Sequence, residues 1–398
     1  MPTAIPLIKK FRTEKNYYIY DTWTNEILKV HKDFWNYLDD GEKNNQQQSI
    51  KTKISNSEEV LNEINRAKEK GYLSTDRPEV ATYYGWDHWK ENVRNEVLNN
   101  LKQLSLNVTE ICNFRCDYCV YSDHYKKTRN HSLKRMPWDI AKRAIDYAVN
   151  NSLMAKKKDR ALGISFYGGE PLSNFELIKK SINYCKKEYK HKNIGYSMTT
   201  NASLINEEIA NFLVDKNVNV SFSIDGPAEL HNRYRKTINN KPTHHLTMKG
   251  YELIKRTANK KKKKFPNLVI CVFPPPFDLF SLANFINSFD DIILRLTNPS
   301  SIDTTFFDQF DIEKENLNLY NQSNEFLRLY AKDIVSGNIR KRNRLGAAIY
   351  ERDFLSIYKR RNDRMGKKTA SHGQCVPGGR KLFVSCDGDF YPCERVNE

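Results

Sequence analysis

Between Leu101 and about Thr297 the chain alternates short apolar runs with longer amphipathic ones, a rhythm that few folds accommodate. Strand-like runs fall at 104–108, 161–167, 195–199, 218–224, 268–273 and 292–296. Helical patterns lie between them, near 138–150, 174–189, 207–216, 247–256 and 279–288. Strand–helix alternation implies parallel βαβ units, because a helical crossover returns the chain to the same end of one sheet. Six such strands without a complementary half favour an incomplete, TIM-like (β/α)6 barrel over a closed eightfold one. Chemistry in parallel barrels gathers at the C-terminal strand ends, so the loops leaving those ends are the places to search.

The rest of the chain reads differently. Tyr17 to Tyr20 and Ile27 to Val30 are short strand patterns joined by a polar turn, followed by an amphipathic segment, Phe34 to Leu38. An Asn- and Gln-rich stretch from Gly41 to Ser49 reads as a loop. Ser57 then opens a helical pattern through Val60, Leu61, Ile64 and Ala67. Residues 1–75 thus form a small winged-helix-like α+β module or a plain structural cap. A linker at 76–100, the barrel at 101–312, a helical connection at 313–370 and a Gly- and Cys-rich segment at 371–398 complete the organisation.

Charge and composition exclude several classes. Lys plus Arg outnumber Asp plus Glu by 65 to 48, a net +17. The excess is dispersed in runs such as Lys260 to Lys264, without the aromatic–basic interleaving of an RNA-binding platform, so no nucleic-acid partner is expected. No apolar run reaches the ~18 residues of a membrane span. Ala4 to Ile8 precede Lys9 and Lys10, the reverse of a secretory signal, and a cytoplasmic location is expected. Eight cysteines are too few for a disulfide scaffold, and their clustering points to metal.

Cys112, Cys116 and Cys119 follow the first barrel strand in the string Ile111-Cys112-Asn113-Phe114-Arg115-Cys116-Asp117-Tyr118-Cys119. Three thiolates in so short a loop can bind one compact centre. Zinc would want a fourth ligand, and His124 is near in sequence. An iron–sulfur cluster held by three thiolates keeps one iron open to another ligand. At the second strand's end stands Tyr167-Gly168-Gly169-Glu170-Pro171-Leu172, where glycines admit close backbone approach and Glu170 offers a carboxylate to an ammonium. A tight strand–helix turn with Pro171 in its first turn is the structural alternative. Thr199-Thr200-Asn201-Ala202 ends the third strand, Ser221-Phe222-Ser223-Ile224-Asp225-Gly226-Pro227 the fourth, and His231-Asn232-Arg233-Tyr234-Arg235 follows.

In this order and context the motifs resemble the radical S-adenosylmethionine (radical SAM) superfamily. The resemblance implies that Cys112, Cys116 and Cys119 hold a [4Fe–4S] cluster whose remaining iron is chelated by SAM. It places Tyr118 against the adenine, Gly168, Gly169 and Glu170 at the SAM amino group, and Thr200, Asn201, Ser223 and Asp225 at ribose and carboxylate. Arg235 takes the SAM carboxylate in a string resembling H-D-x-x-R. This chain departs from that string at Asn232, where aspartate is usual.

Cys375 and Cys393 flank two apolar stretches around an Asp387-Gly388 turn, a hairpin pattern for which zinc is again an alternative. The segment resembles the opening of the SPASM domain, which implies that Cys375 and Cys393 ligate an auxiliary [4Fe–4S] cluster, with Cys386 a possible extra ligand. The family's later cysteines do not follow, so the SPASM-like segment is expected to be truncated and its auxiliary site incomplete. Cys185 and Cys271 sit in apolar patterns and read as inert, buried thiols.

The combined resemblance implies a peptide maturase. Its N-terminal module would recognise the leader of a ribosomally made precursor by adding a strand to a sheet edge. A flavodoxin or ferredoxin would supply electrons, and the product would be a Cys-to-carbon thioether. Carbon–carbon crosslinking, epimerisation and anaerobic sulfatase maturation are the alternatives within the class. A zinc-stabilised basic nucleic-acid binder is the rival outside it. Asp387 and Glu394 are candidate bases near the hairpin.

Overall fold

The computed structural model describes residues 5–38, 57–83, 91, 94, 100–152, 160–264, 268–289, 292–337, 343–371 and 380–394. The chain divides into two compact units, Met1–Asp87 with Asp353–Gln374, and His88–Arg352 with Cys375–Glu398.

The first unit holds an antiparallel sheet of β1 (Ile8–Arg12), β2 (Tyr17–Asp21) and β3 (Glu26–Val30), in that order. The sequence pattern anticipates β2 and β3; β1 is additional. Ile19 in the central strand is fully buried among Ile8, Phe34, Val60, Ile64 and Leu73. Buried Asp21 fixes the turn between β2 and β3, since its Oδ1 accepts from the Trp23 and Thr24 amides at 2.9 and 3.1 Å. Its Oδ2 accepts from the Leu73 amide at 2.5 Å, which ties the sheet to the chain beyond the helix Ser57–Glu69. β4 (Val80–Tyr83) pairs in parallel with β13 (Lys368–Ser371).

The second unit is built on an eight-stranded sheet. Its strands are β5 (Gln103–Thr109), β7 (Leu162–Gly168), β8 (Ile194–Thr200), β9 (Val218–Ser223), β11 (Leu268–Val272), β12 (Ile293–Thr297), β14 (Lys381–Val384) and β15 (Phe390–Tyr391). Their order is β12-β11-β9-β8-β7-β5-β14-β15, parallel throughout except for β15. The six barrel strands thus lie side by side in chain order, and the sheet stays open at β12 and β15, as a partial barrel requires. The hairpin of β14 and β15 forms around Asp387 and Gly388 as its sequence suggests. That β14 joins the sheet beside β5 is a tertiary choice with no sequence signal.

Alternation within each strand decides the layers. In β7, Leu162, Ile164 and Phe166 are fully buried, while Gly163, Ser165 and Tyr167 point to the other face. The buried set packs under helices such as Trp138–Asn151, Phe175–Glu188 and His244–Lys260. Caps fix where helices start: Asn206 Oδ1 accepts from the Ile209 amide at 2.9 Å, and Asp278 Oδ1 from the Ser281 amide at 2.9 Å. Cys185 and Cys271 are buried within these cores.

Candidate active site

A cavity of about 780 Å³ occupies the concave side of the sheet. Cys112, Cys116, Cys119, Tyr118, Gly168, Gly169, Glu170, Thr200, Asn201, Ser223 and Arg235 all line it. Residues separated by more than a hundred positions are therefore brought to one chamber.

Three devices hold the cysteine loop. First, β6 (Phe114–Cys116) pairs antiparallel with β10 (Arg235–Thr237), which sets Cys116 opposite Arg235. Second, Asn113 links the loop to the third strand's end: its Oδ1 accepts from Asn201 Nδ2 at 2.9 Å, and its Nδ2 donates to Ser203 Oγ at 2.8 Å. Third, the Gly169 and Glu170 amides donate to the Thr109 and Ile111 carbonyls at 2.8 Å each. That backbone approach explains both glycines, because a Cβ on Gly168 would lie 2.3 Å from Thr109 O and one on Gly169 2.5 Å from Ile111 O.

Glu170 is almost fully buried. Its Oε1 accepts from Thr200 Oγ1 at 2.6 Å and the Leu172 amide at 3.1 Å, and its Oε2 from the Asn201 amide at 2.8 Å. Burial pushes its carboxyl up to about 7, against the pull of these donors. A neighbouring cation would return it to the charged form.

Asp225 lies behind the cavity wall rather than on it. It takes Arg235 Nε on Oδ2 at 2.6 Å and Nη2 on Oδ1 at 3.2 Å, the Val272 amide on Oδ1 at 2.9 Å, and the Tyr118 hydroxyl on Oδ2. The Tyr118 ring carries the Arg235 guanidinium 5.5 Å from its centroid and meets Tyr234 and Phe306 edge-on. Arg235 Nη1 also reaches Cys116 Sγ at 3.8 Å. Burial pushes all three thiols up, that of Cys112 to about 12.

His124 does not join the cysteines; its ring contacts Thr305 Oγ1 at 3.0 Å and Phe306. Among the described residues no three His, Cys, Asp or Glu side chains converge as ligands of a single ion.

Asn232 turns its Oδ1 to the Thr243 and His244 amides, both at 2.9 Å, and so caps the helix His244–Lys260. Only an acceptor oxygen is used there, which an aspartate would supply equally. His231 is fully buried, and its Nδ1 accepts from the Asp225 amide at 3.3 Å.

At the C-terminal hairpin, Lys381 and Glu394 form an ion pair and both line the cavity. Asp387 instead pairs with Lys134 at 2.6 Å on the exposed turn. Cys386 is buried, with its thiol 3.0 Å from the Asn107 carbonyl, and Cys393 is a half-buried free thiol. Cys375 lies outside the described residues. Sequence reasoning missed Asn113, Ser203 and Phe306, whose roles depend on contacts distant in the chain.

Fold and site together define an open parallel α/β barrel with a three-thiol loop at the end of its first strand. Residues 106–274 match the Radical SAM superfamily. It is 40% identical over 159 residues to an uncharacterized protein of Methanocaldococcus jannaschii, covering 40% of this chain and half of that protein. It is 26% identical over 310 residues to the cysteine-type anaerobic sulfatase-maturating enzyme of Clostridium novyi, covering 75% and 74%. To the radical SAM cyclopropyl synthase TigE of Paramaledivibacter caminithermalis it is 30% identical over 214 residues, covering 52% of this chain and 43% of that one. The fold matches the solved structure of native anSMEcpe with bound AdoMet, with a TM-score of 0.53, 23% identity, and 74% and 75% of the two chains covered. The chain is thus similar to enzymes, an anaerobic sulfatase-maturating enzyme and a radical SAM cyclopropyl synthase among them.

Proposed function

We propose that this enzyme modifies a ribosomally made precursor peptide, joining a cysteine sulfur to a carbon of the same peptide as a thioether. The observation that carries the reading is the convergence of Cys112, Cys116 and Cys119 with Arg235 and the Gly168–Glu170 segment on one cavity. The three cysteines would hold a [4Fe–4S] cluster, with SAM beside Glu170, Thr200, Asn201, Ser223 and Arg235. When bound, that pair supplies a 5′-deoxyadenosyl radical able to take hydrogen from an unactivated carbon. Tyr118, Tyr234 and Phe306 pack as an aromatic cluster against Cys116 of the loop. Glu394, ion-paired with Lys381 on the cavity wall, would accept the thiol proton.

An auxiliary cluster held in part by Cys375 and Cys393, which would take up the one electron released as the carbon–sulfur bond closes, electron supply by a flavodoxin or ferredoxin and a cytoplasmic location belong to the same proposal. The leader peptide would add to an edge of the three-stranded sheet, where β1 and β3 are the outer strands. Among the described residues no helix is long and apolar enough to cross a membrane. Sulfatase maturation is a second reading, favoured by the alignment with the Clostridium novyi enzyme over three quarters of this chain.

Anaerobic purification and cluster reconstitution test both readings. Iron, acid-labile sulfide and 5′-deoxyadenosine are expected from the wild type under strong reductant, and none from the triple variant Cys112→Ala, Cys116→Ala, Cys119→Ala. A colourless protein with stoichiometric zinc would reject the radical chemistry. Mass spectrometry of a cysteine-bearing peptide encoded beside the gene, against one from a sulfatase, then separates the two readings: loss of two hydrogens from the former supports the thioether.

A further inference from the structure

A closed parallel barrel normally fills its interior with Val, Ile and Leu. Here a polar row crosses the concave face beside apolar residues such as Leu268, Ile270 and Val272. The registers align Ser105 with Ser165, Ser165 with Ser197, and Ser197 with Asn219, a continuous row across β5, β7, β8 and β9. All four line the cavity. Such a floor suits a polar occupant, the backbone and short side chains of a peptide.

The charges on this face are mostly matched. Arg235 is held by Asp225, Lys381 by Glu394, and Glu170 by three donors. Arg295 differs. In β12, Leu294 and Leu296 pack against apolar clusters, so Arg295 and Thr297 face the cavity. Arg295 stands in register with Ile270, and Ile270 with Ser223. Its guanidinium stem thus sits on the cross-strand row of Ser223, on the wall of the same chamber as the cysteine loop. Among the described residues it forms no ion pair or hydrogen bond, and it is exposed.

We propose that Arg295 is a specificity residue that recognises a carboxylate of the substrate peptide, borne by an acidic side chain or the chain terminus near the residue being modified. This rests on the peptide-modifying reading above. A guanidinium binds carboxylate in a planar, two-pronged contact. The competing explanation is that an inward-pointing charge on the end strand β12 deters edge-to-edge pairing.

The test uses the reconstituted full chain and four labelled cysteine-containing peptides of one sequence. They carry Glu or Gln beside the cysteine, and a free or amidated C-terminus. Fluorescence anisotropy should show the wild type favouring one carboxylate form about tenfold. The side chain or terminus that confers the preference identifies the source. Arg295→Gln should lose the preference, Arg295→Lys should keep part of it, and Arg295→Glu should favour the neutral form. A wild type without preference, or Arg295→Gln with an undiminished one, overturns the proposal. So does a variant altered only in SAM affinity or only in its oligomeric state by size exclusion. Absence of 5′-deoxyadenosine from the wild type counts against the radical reading instead, and the anisotropy ratios still decide Arg295.

Discussion

Arg235 faces Cys116 across an antiparallel pair, with Nη1 3.8 Å from the sulfur, while its Nε and Nη2 grip Asp225. The arginine is 8% and the aspartate 3% exposed, so neither partner can fall back on water if the other is removed. Asp225→Ala should cost about 3–5 kcal/mol by leaving a buried guanidinium unpaired. Asp225→Asn should cost less, since an amide oxygen still accepts. Denaturant midpoints at constant slope provide the measurement, and equal midpoints for Asp225→Ala and wild type would refute the pairing.

The glycine pair supports the loop sterically. Gly169→Ala would put a methyl carbon 2.5 Å from the Ile111 carbonyl, immediately before Cys112. Backbone cannot yield as a flexible side chain does, so we expect about 1–3 kcal/mol of destabilisation together with reduced iron retention after reconstitution. Gly195→Ala, with open space at its Cβ, is the control and should retain iron at the wild-type level.

Asn232 tests the capping assignment. Asn232→Ala should lower stability by ~1 kcal/mol, whereas Asn232→Asp should match or slightly exceed the wild type by placing negative charge at a helix N-terminus. Thermal melting of the three proteins at one pH distinguishes the outcomes. A loss with Asp as large as with Ala would show that the oxygen acceptor is not what matters.

His231 should make the second unit acid-sensitive. Burial lowers its pKa to about 2, assisted by Arg235 and His244, and its Nε2 is buried without a hydrogen-bond partner among the described residues. The unfolded chain binds a proton near the ordinary value of 6.5 and the folded chain does not. Stability from this group is therefore complete above pH 6.5 and declines as pH falls below it. His231→Gln should flatten the dependence of the denaturant midpoint between about pH 6.5 and 4 relative to wild type. An unchanged slope would show that His231 is already charged in the folded state.

Much of this was legible in one dimension. Six apolar runs separated by amphipathic stretches encode parallel strands and covering helices, because burial on one side of each element is a local, periodic property. The order of the motifs at the strand ends was likewise readable, since a parallel sheet sends every strand's C-terminus to one rim. Strand boundaries shifted by a residue or so: β8, for instance, spans Ile194–Thr200.

Tertiary structure decided what each motif residue touches. Glu170 and Asp225 read in sequence as carboxylates offered outward, but folding surrounds Glu170 with Thr200, Asn201 and Leu172, and Asp225 with Arg235, Val272 and Tyr118. A buried carboxylate must collect donors wherever they lie, and these come from separate strand ends. The pairing of β6 with β10, the anchoring of Asn113 and the placing of Arg295 on the cavity wall have the same origin. Each depends on which distant segments the closed core leaves adjacent, a relation that residue spacing along the chain does not contain.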